Sequence, residues 1–197
     1  MAMRLGYIMA GILTLATVLP SQAGSRKKQQ EPAAPYTFTE VTRVPVTPVK
    51  DQNISGTCWC FATTSFIEAE LLRMGKGEYD LSEMFTVRYN YYERLNDNYL
   101  RRGKGNIGEG SIAHMAINIM GKYGIVPQSA YSGINYDSPL PDHRELGAYV
   151  AAIAEASVEL RHRSPEYFEL QDALFDIYMG KLPETFEYGG KEYTPLT

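Results

Sequence analysis

Five stretches between Cys58 and Gly180 carry apolar residues at helical spacing, and that repetition fixes the kind of fold this chain can adopt. The first, Cys58 to Met74, contains neither glycine nor proline. It sets Trp59, Ala62, Phe66 and Ala69 at helical spacing and meets Gly75 where a left-handed C-terminal cap would sit. A second starts with Ser82 as N-cap, aligns Met84, Val87, Tyr91 and Leu95, and ends in the Gly103-Lys104-Gly105 turn. Ser111 caps a third, whose stripe is Ile112, Met115, Ala116, Ile119 and Met120 and whose stop is Gly124. A fourth runs from about Asp142 to Leu160. The fifth has Ser164 as cap and Pro165 in its first turn, then Phe168, Ala173, Leu174 and Ile177 before Gly180. Strand signals come only near the end, where Thr185 to Tyr193 carries aromatic residues on two arms around Gly189-Gly190, a two-residue hairpin. With 44% hydrophobic and 21% charged residues among 197, the chain has the composition of a globular domain with a real core.

Upstream the chain changes character twice. Arg4 gives a positive start, Leu5 to Leu19 is an almost unbroken apolar run, and Ser21-Gln22-Ala23 places small residues where a signal peptidase reads them. Residues 1–23 are therefore expected to be a signal peptide cleaved after Ala23, and the protein to be secreted or periplasmic. The run is short of the roughly 20 residues that span a bilayer and contains Thr14 and Thr17, which argues against an anchor. Residues 24–35 are basic, Gln-rich and without apolar periodicity, a flexible leader. The folded domain is expected over 36–197, opening with an extended or edge segment from Thr37 to Val49 that carries Pro45 and Pro48. A net charge of −4 leaves no basic surface for nucleic acid, so peptides or small molecules are the expected partners, with no membrane association after cleavage.

An exported chain would ordinarily use disulfides, yet the only cysteines are Cys58 and Cys60, too close in sequence for an unstrained bridge. Two thiols without a neighbouring His or Cys also fall short of a closed zinc site. Reactivity or burial remains. Cys58 opens the first helical stretch directly after the polar run Asn53-Ile54-Ser55-Gly56-Thr57, and the amides and dipole of a helix N-terminus favour the nucleophilic thiolate. Cys60 suits burial within the helix. Six residues before Cys58 stands Gln52, whose side-chain amide is placed to donate to the oxyanion formed when the thiolate attacks a carbonyl, with the Cys58 amide as second donor.

Pro48-Val49-Lys50-Asp51-Gln52 followed by Cys58-Trp59-Cys60-Phe61 resembles the active-site segment of the papain superfamily of cysteine peptidases. The usual first cysteine is replaced in Ser55-Gly56-Thr57-Cys58-Trp59. The family's Gly-Cys-Asn-Gly-Gly stretch, which supplies that cysteine's disulfide partner, reads here Gly105-Asn106-Ile107-Gly108-Glu109. Both halves of the disulfide are thus absent together. Asp80-Leu81-Ser82-Glu83 resembles the family's Leu-Ser-Glu helix start, Lys122-Tyr123-Gly124-Ile125-Val126-Pro127 its Tyr-Gly-Ile turn, and Tyr131 follows at a fitting distance. The missing disulfide, the Thr-Cys-Trp-Cys-Phe wording and the helical excursion after Ser138 are similar to the bleomycin hydrolase and aminopeptidase C branch. The resemblance implies an α+β, papain-like fold represented mainly by its helical lobe, with an added helical excursion and the β-rich lobe largely missing.

It also implies roles. Cys58 and Gln52 are the catalytic residues; Trp59 packs under the site; Gly108 and Glu109 take the place where the family binds an extended peptide through backbone hydrogen bonds. Glu109 replaces a glycine there, which implies either a preference for positively charged substrates or a solvated loop glutamate. No metal or organic cofactor is implied. The histidine that would exchange protons with Cys58 is not evident: His114 lies in the third helical stripe, His143 beside Asp142 at a helix start, and His162 between Arg161 and Arg163, each readable as a surface or helix-terminal residue. A compact papain-like spacing would put it at roughly 188 to 208, and no residue from 188 on is histidine. The expectation is a shortened chain, inactive by itself, of a cysteine-type peptidase, an aminopeptidase by its branch. The alternative is a non-catalytic peptide-binding or inert product that lacks the base.

Overall fold

A computed structural model of the chain describes residues 36–197, so the expected signal peptide and leader lie outside the described residues. The chain divides into two compact units, one ending at Val41 and one spanning Thr42–Thr197. Of the first, residues 36–41 have no regular secondary structure, and the rings of Tyr36 and Phe38 are 6.4 Å apart. The second contains α1 (Cys58–Arg73), α2 (Glu83–Leu100), α3 (Ala113–Tyr123), α4 (Arg144–Leu160) and α5 (Pro165–Met179), then β1 (Phe186–Tyr188) and β2 (Lys191–Tyr193).

All five helical stretches form, because their punctuation is local. Ser82 Oγ accepts the Phe85 amide at 3.1 Å and starts α2, while Gly75, Gly124 and Gly180 take positive φ just beyond α1, α3 and α5. Gly189 and Gly190 have φ of 57° and 75°, which turns β1 antiparallel onto β2 with Phe186 opposite Tyr193. Helix α2 lies at the centre and packs on each of the other four. Its Met84, Val87, Tyr91 and Leu95 are buried as the periodicity predicts, and Phe85 joins them. Around it gather Trp59, Leu146, Val150 and Phe175, with the Tyr91 and Phe175 rings stacked at 5.6 Å. Arg88 secures α2 to α5 by donating to Asp176 at 2.7 Å and to the Gly180 carbonyl.

Three expectations about faces and caps are corrected. In α1 the buried residues are Trp59, Cys60, Thr63, Thr64 and Glu68, whereas Ala62 and Phe66 face solvent. The polar residues can go inside because each finds a partner: Glu68 accepts from Thr47 Oγ1 at 2.6 Å, Lys50 at 3.0 Å and the Leu81 amide at 2.8 Å. In α5 the buried residues are Gln171, Phe175 and Met179, while Phe168 and Ile177 are exposed; a glutamine on the inner face hid the true stripe. Ser111 does not cap α3. Ile112 occupies the N-cap position without a side-chain bond.

Candidate active site

Cys58 is the first residue of α1 and is exposed; Cys60 is fully buried. The first backbone bonds of the helix run from the Cys60 and Phe61 amides to the Thr57 carbonyl, at 2.8 and 3.2 Å. The Cys58 and Trp59 amides precede them, at the helix start where amides have no acceptor within the helix. Cys60 is set differently. Burial, aided by Glu83, pushes its thiol up to about 12, and Sγ donates to the Glu83 carbonyl at 3.4 Å.

The turn before Cys58 is knotted on itself. Gln52 Nε2 donates to the Ser55 carbonyl at 2.6 Å, and Ser55 Oγ donates back to the Gln52 carbonyl at 2.8 Å while lying 2.5 Å from Thr57 Oγ1. This leaves the second amide hydrogen of Gln52 for another acceptor. Asn53 bends the chain with φ of 47° and donates through Nδ2 to the Pro141 carbonyl at 3.1 Å. Next to it, the His143 amide donates to the Ile54 carbonyl at 2.9 Å. The turn is therefore built on the segment that leads into α4.

Glu109 reaches the same turn from the loop between α2 and α3. Its carboxylate accepts the Gly56 amide, and its own carbonyl accepts Trp59 Nε1 at 3.0 Å. A Cβ on Gly56 would sit 2.9 Å from Glu109 Cβ, so only glycine admits this approach. Gly108 is exposed, its amide bonded to Asn106 Oδ1 at 2.9 Å, and Arg94 on α2 holds the loop from behind through the carbonyls of Asn106, at 2.7 Å, and Gly110. Gln52 and Glu109 thus both bond to the segment that carries Cys58 and Trp59, with Gly108 on the adjoining loop. Glu109 is not a solvated loop residue: its side chain is 24% exposed and engaged.

His114 and His162 are exposed, the first in the opening turn of α3 and the second just beyond α4. His143 is helix-terminal, at the N-cap position of α4, but its reading as a surface residue is corrected: it is completely buried. Its Nδ1 lies 3.1 Å from Tyr91 Oη and 3.8 Å from Glu109 Oε2. Burial lowers its pKa to about 4 against the opposing pull of Asp142, so the ring is neutral at neutral pH. Among the described residues, no hydrogen bond joins Cys58 to any of these three rings. No group of three or more His, Cys, Asp or Glu there is arranged to hold a metal ion, and no helix among them is long and apolar enough to cross a membrane.

Sequence reasoning missed the role of Lys50. It lies 3.0 Å from Glu68, 2.9 Å from Glu83 and 2.7 Å from Asp80, anchoring the chain just before the Gln52 turn to α1 and α2. Burial opposes its charge, but these carboxylates outweigh it and raise its pKa. Its partner Glu68 lies well inside α1, where nothing local in the sequence marks a carboxylate as buried.

The family model described as papain family cysteine protease matches residues 34–158. The chain belongs to that family. Relatives of this papain-family chain include Cysteine proteinase 1, mitochondrial, of Saccharomyces cerevisiae, 26% identical over 118 residues covering 51% of this chain and 24% of that protein. Aminopeptidase C of Lactococcus lactis subsp. cremoris is 24% identical over 168 residues, covering 72% of this chain and 38% of the relative. The branch read from the sequence is met by these relatives. The crystal structure of PepW from Lactobacillus rhamnosis HN001 shares the fold, with a TM-score of 0.59 at 19% identity over 81% of this chain and 44% of that one. The five helices and two-stranded sheet of the described residues are the helix-rich part of that papain-like α+β architecture. The chain spans less than two fifths of the length of these curated relatives.

Proposed function

We propose that Cys58 is the nucleophile of a cysteine-type peptidase, an aminopeptidase in the manner of its relatives' branch, whose substrate is a peptide. The thiolate attacks the peptide carbonyl; the Gln52 side-chain amide and the Cys58 backbone amide hold the resulting oxyanion; the amine leaves, and water hydrolyses the acyl-enzyme. Trp59 supports the site from beneath, and the exposed backbone at Gly108 receives the extended peptide. The observation that carries this reading is the contrast between two thiols two positions apart: Cys58 open at a helix N-terminus beside a knotted amide turn, Cys60 buried with its pKa raised. None of His114, His143 and His162 is hydrogen-bonded to Cys58 among the described residues, which supports the reading that turnover needs an imidazole supplied by other residues.

Brief treatment with iodoacetamide at neutral pH, followed by peptide mapping, is expected to label Cys58 and spare Cys60, while the 197-residue chain leaves aminoacyl fluorogenic substrates uncleaved. Preferential label on Cys60 would remove the nucleophile assignment. Turnover lost on Cys58→Ala would return one of the three histidines to the base's role.

A further inference from the structure

We infer that Glu109 is a positioning residue for the oxyanion turn, acting through the Gly56 amide; the inference rests on Cys58 being the nucleophile. Gly56 lies between the two expected oxyanion donors, Gln52 and the Cys58 amide. The Gln52–Ser55 bonds close the turn on its upstream side only. Downstream, the Gly56 amide is satisfied by a carboxylate 53 positions away in the chain. These are also the two segments in which the paired cysteines are absent, so a hydrogen bond joins them without a covalent link.

The carboxylate is itself held on several sides. Its residue's carbonyl is fixed by the Trp59 indole at 3.0 Å. Oε1 lies against α4, where a Cβ on Gly147 would meet it at 3.4 Å. Oε2 faces His143, whose ring is buried against Tyr91. Arg94 backs the loop through the Asn106 and Gly110 carbonyls. Oε2 is thereby engaged within the protein, on the Gly56 amide. Its effect passes to Gly56 and then, through Thr57, to the Cys58 amide, where a displacement on the order of 1 Å is enough to cost about a hundredfold in a reacting geometry.

The test compares two probes of Cys58 in the same chain. Iodoacetamide alkylation needs only the thiolate. A peptidyl aldehyde adds the sulfur to its carbonyl carbon, the C=O π bond breaking and the oxygen taking up the thiol proton, and that oxygen needs the turn's donors. For Glu109→Ala the aldehyde affinity is expected to fall about tenfold or more, with Gly56 amide exchange accelerated by a similar factor, while the alkylation rate changes less than about threefold. Glu109→Gln keeps an acceptor oxygen for Gly56 and is expected to restore both readouts to within about threefold. Should the alanine variant fail to fold, Gly56→Ala, which presses on Glu109 without altering it, is expected to give the same split. Unchanged aldehyde affinity in Glu109→Ala and in Gly56→Ala, or a glutamine variant as impaired as the alanine one, would overturn the inference. A wild-type chain whose Cys58 does not react with iodoacetamide would instead overturn the nucleophile reading.

Discussion

Along one side of α1, Cys60, Thr63, Thr64 and Glu68 are buried, while along the other Cys58, Ala62, Ser65 and Phe66 face solvent. The inner side is the more polar of the two, the reverse of an ordinary amphipathic helix. Each inner polar group has a partner on the chain, and Lys50 places one cation among three carboxylates. The outer side carries the exposed Cys58 thiol and a phenylalanine left 62% exposed. In this helix polarity therefore follows the availability of partners, and the proposed nucleophile sits on the side that packing does not use.

The largest effect is expected on the inner side. Lys50→Met leaves Glu68 and Glu83, both almost fully buried, without their cation, and breaking such an arrangement costs about 3–5 kcal/mol. Chemical denaturation measures it, and a loss below about 1 kcal/mol would mean that the network does not hold the two helices. Next is the support beneath the Cys58 turn. With its pKa near 4 in the fold and 6.5 as the ordinary value, His143 binds its proton more readily in the unfolded chain. Its contribution is present above pH 6.5 and is lost as pH falls toward 4, by up to about 3 kcal/mol. Denaturation midpoints of the wild type and His143→Gln across that window check this; equal slopes would show that another group titrates. The smallest effect belongs to the outer side: Phe66→Ser is expected to change stability by no more than about 0.5 kcal/mol, and a loss above about 2 kcal/mol in the same assay would contradict the openness of that face.

How far the sequence was readable depended on the range of the physics involved. Helix stops at Gly75, Gly124 and Gly180 and the hairpin at Gly189-Gly190 were legible because a left-handed backbone is a property of a few consecutive residues. Faces were legible where apolar spacing and burial coincide, as in α2, and failed in α1 and α5, where Thr63, Glu68 and Gln171 turn inward. Position alone made Cys58 and Gln52 candidates, since a helix start and a fixed separation are both written in the chain. Glu109 was picked out by sequence through its place in the family's peptide-binding loop and its charge; its bond to Gly56 came only from the structure.

The sequence by itself determined the helical repertoire, the hairpin, the placing of Cys58 at the head of α1 and the family resemblance. Each of these rests on neighbours within about one or two helical turns or on an ordered series of short motifs. Only the tertiary structure decided that Lys50 joins Glu68 and Glu83, that His143 is buried against Tyr91, and that Glu109 holds Gly56. Those pairings join residues between 18 and 53 positions apart. A charged or polar side chain gives no local sign of such a partner, because its burial becomes favourable only when the fold brings the matching group within hydrogen-bond distance.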